Sequence, residues 1–156
     1  LGNLKKIDDL IVSYGDVIFK KFIPLMLMDS NAGFSIVADS NWQKNFNNQR
    51  EADFISCNYG PGREFTGKNI FLSNIKSDMK KKNIDAEWMG LIKISKNKIK
   101  AFSSAVDSVL SKNVNAQIPD LLNYLVKQNH KIEVIYTSGH WIDIDSLDDL
   151  IKASHF

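Results

Sequence analysis

Two aspartates one residue apart, in Trp141-Ile142-Asp143-Ile144-Asp145, offer the plainest chemistry in the chain. In an extended segment alternate side chains share a face, so Asp143 and Asp145 point together while Ile142 and Ile144 point toward a core. At a rise of about 3.3 Å per residue their Cα atoms stand about 6.6 Å apart, close enough for both carboxylates to reach one cation. Like charges so placed repel unless a positive charge lies between them. A hard, oxygen-seeking ion such as Mg²⁺ suits the pair. The rival reading is helix capping, in which Asp145 or Ser146 caps the last helix and Asp148 and Asp149 occupy its first turn. Both readings stand for Asp145. Asp143 has no capping role and is the better ligand.

Asp16, in Ser13-Tyr14-Gly15-Asp16, follows a short apolar run that reads as a buried strand. The carboxyl end of such a strand is where open α/β sheets bind ligands. Asp39 has the same local setting, but the bland alternative is favoured there: a turn residue bonded to its own backbone. Glu87, Lys93, Trp42 and His140 are candidates for a substrate pocket, each equally able to serve in packing or on the surface. The segment Gly62-Arg63-Glu64-Phe65-Thr66-Gly67-Lys68 has the spacing of a phosphate-binding loop. Asn69 stands where Ser or Thr is needed, and no strand leads into Gly62, so a surface loop is the expectation. No His/Cys cluster has zinc spacing, and Cys57 has no nearby base. A lone cysteine cannot form an internal disulfide, which fits a reducing cytoplasm.

The elements that must hold these residues read as mixed. Strands are expected over 9–14, 34–39, 87–94, 131–136 and 141–145, with a shorter one near 54–57. Helices are expected over 17–28, interrupted by Pro24, over a lysine-rich patch at 72–82, over 98–110, over 119–128 and from Ser146 to near Phe156. Strands and helices mixed in this way make one domain, residues 1–156, with a three-layer α/β sandwich. The 156 residues are 44% hydrophobic and 24% charged, which excludes disordered and fibrous classes. A net charge of +2, with Lys80-Lys81-Lys82 as a solvated helix end, argues against nucleic acid as a partner. No apolar run reaches the roughly 20 residues of a membrane helix, and the start does not read as a signal peptide.

Ser13-Tyr14-Gly15-Asp16 and Gly139-His140-Trp141-Ile142-Asp143-Ile144-Asp145 resemble the sugar-phosphate nucleotidyltransferases. Within them the likeness is to the cytidylyltransferase-like domains that activate phosphocholine or phosphonates, including those fused to phosphoenolpyruvate phosphomutase. Glu87 to Ser95 and Asp148 to Ala153 resemble the same subgroup. The resemblance implies a Rossmann-like fold with a mixed, mostly parallel sheet. It implies Asp16, Asp143 and Asp145 as catalytic residues that bind Mg²⁺ or Mn²⁺. It also implies a nucleotidyl group, CMP from CTP, passing to a phosphorylated or phosphonate small molecule as pyrophosphate leaves. Such a nucleophile is already ionised, its second pKa being about 6, so alignment and charge neutralisation are what the protein must supply.

Such families open with a strand and a glycine-rich loop that grips the triphosphate, and nothing before Leu10 matches it. The expectation is therefore a carboxyl-terminal portion, truncated or split, inactive by itself. An uncovered edge or apolar face should make it a homodimer or larger homo-oligomer. The competing readings are a non-catalytic α/β interaction or oligomerisation module, and an unrelated phosphate-handling hydrolase with the same acidic corner.

Overall fold

Ala86–Ile94 is buried along all nine residues and forms the axis of the sheet. A strand covered on both faces reads as a near-continuous apolar run, and Trp88, Met89, Leu91, Ile92 and Ile94 supply one. The computed structural model describes residues 8–44, 52–62 and 69–156. In chain order these hold β1 (Leu10–Ser13), β2 (Val17–Phe19), α1 (Phe22–Asp29), β3 (Phe34–Asp39), β4 (Phe54–Cys57), β5 (Leu72–Lys76), β6 (Ala86–Ile94), α2 (Ile99–Leu110), α3 (Ile118–Lys127), β7 (Ile132–Thr137), β8 (Trp141–Asp143) and α4 (Leu147–Ala153).

The main sheet runs β5-β4-β6-β3-β7, with β1 also paired to β6; β2 and β8 make a separate two-stranded ribbon. Alternation along β3 assigns the layers. Ile36 and Ala38 pack with Phe102 of α2 and Leu121, Leu122 and Leu125 of α3. Val37 faces the opposite way, with Met89 and Leu91, onto Ile23 and Leu27 of α1 and Trp141 of β8. The chain is thus a three-layer α/β sandwich, as its sequence indicates. Each fully buried aliphatic side chain in these layers contributes about 1.5–3 kcal/mol.

Three expectations need correction. The sheet is mixed, but among the described strands only β3–β7 is parallel; β1–β6, β3–β6, β4–β5 and β4–β6 are antiparallel. A parallel neighbour needs a long crossover, usually helical. Between β3 and β6 the only helical pieces among the described residues are single 3-10 turns, at Trp42–Lys44 and Lys81–Asn83. The helix expected over 17–28 begins only at Phe22, because Val17–Phe19 pairs with β8. A cross-strand partner outweighs local spacing there.

The third correction concerns 72–82, where Leu72–Lys76 is a strand and not a helix. Leu72 and Ile75 are three residues apart and both buried, which imitates a helical face. In fact the pairing slips between Ser56↔Asn74 and Cys57↔Leu72, so Ser73 is an extra residue that turns both side chains inward. Lys80, Lys81 and Lys82 are solvated, as expected. Among the described residues no helix is long and apolar enough to cross a membrane.

Candidate functional site

The site begins at an irregularity in β6. Ile36 pairs with Ile92 and Ala38 with Trp88, so the register slips opposite Val37. Gly90 lies in this slip with φ +75°, a conformation glycine adopts without penalty. The space that a side chain would fill is taken by the Tyr14 ring. Tyr14 donates its backbone N–H to Gly90 O at 3.0 Å. Its ring meets the edge of Trp88 at 5.2 Å, and the indole of Trp88 donates to Leu91 O at 2.8 Å. The Tyr14 hydroxyl donates to Asp53 Oδ2 at 3.2 Å.

From this anchor the chain turns through Gly15 and Asp16 into the β2–β8 ribbon. Val17 pairs with Asp143, and Ile144 N–H donates to Asp16 O at 2.9 Å. Backbone pairing therefore brings Asp16, near the start of the chain, beside Asp143, near its end. Together with Asp145 they line a cavity of about 560 Å³. Tyr14, Asp53, Glu87, Trp88 and Gly90 line another part of its wall, and Ser77 and residues 116–118 at the start of α3 complete it. Among the described residues the lining includes five carboxylate side chains and no Lys, Arg or His. Burial pushes the Tyr14 phenol well above its ordinary value, followed by the charges of Asp53, Asp16 and Asp143, which all bear on the same hydroxyl.

Strand parity at β8 holds, but the buried member is not the one expected. Trp141 shares the pocket face with Asp143 and Asp145 and is buried, whereas Ile142 and Ile144 are only half-buried. β8 stops at Asp143. Ser146 is the cap of α4, its Oγ accepting from Asp149 N–H at 3.3 Å, so capping does not account for Asp145. Asp39 is the buried last residue of β3: Oδ1 accepts from Asn41 N–H in the turn that follows at 2.8 Å and from Gly139 N–H at 3.0 Å, and Oδ2 from the Trp141 indole at 3.0 Å. It latches the turn that delivers β8.

The other candidates divide. Glu87 is 2% exposed and lies in the pocket wall. Trp42 is buried with Phe54 and Ile84, away from the lining. Lys93 is 3% exposed and ties the end of α1 to the chain before β1, donating to Ser30 O at 2.6 Å and pairing with Asp9 at 3.0 Å. His140 sits at φ +67° with its ring edge-on to Phe22 at 5.1 Å, outside the lining. The phosphate-loop-like segment has residues 63–68 outside the described residues. Cys57 is half-buried, and burial pushes its thiol up to about 12, which leaves it a poor nucleophile. Asp53 and the Tyr14–Gly90 contact escaped the sequence reading.

This α/β sandwich matches the fold of solved nucleotidyltransferases. The chain has their fold, and its resemblance to the sugar-phosphate nucleotidyltransferases stands beyond the two aspartate motifs. It is 26% identical over 154 aligned residues to the CTP:phosphoglutamine cytidylyltransferase of Campylobacter jejuni, covering 91% of this chain and 57% of the relative. The inositol-1-phosphate CTP transferase from T. maritima superposes with a TM-score of 0.68 at 15% identity, over 92% of this chain and 52% of that one. A putative glucose-1-phosphate thymidylyltransferase from Bacillus anthracis gives 0.64 at 18% identity, over 98% and 56%. The chain thus spans about half the length of these proteins. No protein-family profile matches it.

Proposed function

We propose that this chain supplies the acidic, cation-holding part of a nucleotidyltransferase that moves a cytidylyl group from CTP to a phosphorylated or phosphonate small molecule, releasing pyrophosphate. One observation carries the reading: Asp16, remote in sequence from Asp143 and Asp145, lines one cavity with them. The donor set is carboxylate only, the chemistry of a hard cation and not of zinc or copper. Among the described residues no three His, Cys, Asp or Glu side chains form a group that could hold a metal ion, so the ion proposed rests on two carboxylates, with water and phosphate oxygens completing the shell. That arrangement suits Mg²⁺, which takes one or two carboxylates and keeps waters and substrate phosphates for its remaining positions. Asp16 and Asp143 would hold the ion, with Asp145 beside them. When bound, it would neutralise charge on the reacting phosphates. The protein's own work is to orient Asp16 against Asp143 and to wall the acceptor with Glu87, Trp88 and Tyr14. Gripping the triphosphate is assigned to a glycine-rich loop beyond this acidic part, so turnover requires both.

Titration of the wild-type chain with Mn²⁺, read by electron paramagnetic resonance, should show a bound ion whose affinity falls at least about tenfold in Asp143→Asn, because the negative charge of a ligand is lost. Equal binding by the two proteins sinks the proposal. Cytidylyl transfer restored on adding the loop-bearing part, with pyrophosphate and not free phosphate released, separates this reading from a hydrolase.

Self-association is part of the same proposal. Phe22, Leu25 and Met28 on α1, and Leu147, Leu150 and Ile151 on α4, are exposed apolar residues that support it. Light scattering at high protein concentration should give a mass above one chain. A monomer throughout the series would contradict it.

A further inference from the structure

The carboxylate of Asp16 reaches the cavity from a corner that has little packing of its own. Gly15 and Asp16 are both exposed, and a Cβ built on Gly15 would meet nothing within 4 Å. What fixes the corner must therefore lie on either side of it. On the far side is the backbone bond from Ile144 N–H to Asp16 O at 2.9 Å. On the near side is Tyr14, held at its backbone by Gly90 O, at its ring by the Gly90 gap and the Trp88 edge, and at its hydroxyl by Asp53. Asp53 is itself tied to β6, since its carbonyl accepts Trp88 N–H at 2.8 Å.

We infer that Tyr14 is the positioning residue of the acidic site: anchored on Gly90 and on the Asp53 carboxylate, it sets Asp16 against Asp143. The inference rests on the cation site proposed above. Asp53 acts in it as a hydrogen-bond acceptor for the phenol, one step removed from the ion. Partners that orient a ligand in this way change metal affinity when removed, even though they do not touch the metal.

The test uses the full chain and Mn²⁺, with thermal midpoints measured alongside. Tyr14→Phe keeps the ring in its gap and deletes only the hydroxyl, and Asp53→Ala deletes the acceptor. Each should weaken Mn²⁺ binding about tenfold, and the double variant should be no weaker than either alone. Asp53→Asn keeps an oxygen that can accept the phenol proton and should stay within about threefold of wild type, well short of the alanine variant. A lowered melting point with unchanged Mn²⁺ affinity would reduce Tyr14 to a packing residue and overturn the inference. So would a loss in Asp53→Asn as large as in Asp53→Ala, which would make Asp53 a source of charge instead of an anchor. If Tyr14→Phe does not fold, the Asp53→Ala and Asp53→Asn comparison decides by itself. Binding that Asp143→Asn abolishes and Tyr14→Phe leaves intact sinks only this inference. A wild-type chain that takes no Mn²⁺ sinks the cation site with it.

Discussion

Gly90→Ala should lower the thermal midpoint by about 5–15 °C, one of the largest losses expected from a single methyl group in this chain. Two costs combine. The backbone at Gly90 has φ +75°, where an L-residue loses about 1–2 kcal/mol. The added Cβ would also stand 2.7 Å from Tyr14 Cδ2 and 3.2 Å from its Cγ, an overpacking cost of about 1–3 kcal/mol. The ring cannot retreat freely, because Trp88 lies 5.2 Å away and Asp53 holds the hydroxyl at 3.2 Å. The sum, about 2–5 kcal/mol, gives the stated range at about 3 °C per kcal/mol, the middle of the span for a chain of this size. Repeating Gly90→Ala in a Tyr14→Ala background separates the two costs. With the ring gone, only the backbone part should remain, and the penalty should fall by about half. A midpoint within about 2 °C of wild type for Gly90→Ala alone would show that β6 accommodates the methyl by shifting, contrary to the fixed corner described above.

This dependence explains why some of the site was legible in the sequence and some was not. The paired acids of β8 and the aspartate after β1 were readable because strand periodicity and strand ends are local properties. The runs at β3, β6 and β7 were readable for the same reason, being β-branched and apolar over lengths typical of strands. Tyr14 meeting Gly90, and Asp53 meeting Tyr14, are contacts between elements brought together only by the sheet. No spacing rule anticipates them. Leu72 and Ile75 show the complementary failure, where a bulge gave a strand the spacing of a helix. His140 was proposed for its closeness in sequence to the acids, yet a left-handed backbone at φ +67° turns it toward Phe22 instead. Lys93 and Trp42, pocket candidates equally able to serve in packing, hold segments together instead.

The same logic makes Asp39 the second residue on which the site depends most, although it stands outside the cavity's lining. Its side chain is fully buried, and such a carboxylate is tolerated only when its oxygens are satisfied. Three donors do this: Asn41 N–H, Gly139 N–H and the Trp141 indole. Gly139 and His140 are consecutive left-handed residues at φ +68° and +67°, a turn with no regular ladder of its own. Asp39 ties that turn to the end of β3, and Trp141, bonded to the same carboxylate, begins β8 and pairs with Phe19. Asp39→Ala should therefore cost about 3–5 kcal/mol, since each buried donor left unsatisfied costs about 1–3 kcal/mol and water can reach part of the gap. Asp39→Asn, with one acceptor oxygen in place of two, should fall between alanine and wild type. The loss should also carry to the site, because Asp143 keeps its place opposite Val17 only while β8 is held in register. Chemical denaturation measures the first effect. The second is read from the Trp141 indole N–H resonance, expected to lose its hydrogen-bonded shift in Asp39→Ala, and from weakened Mn²⁺ binding in the same protein. Full stability with an unmoved indole resonance would mean that the ribbon holds itself together, and that the latch on β3 contributes nothing to bringing Asp143 beside Asp16.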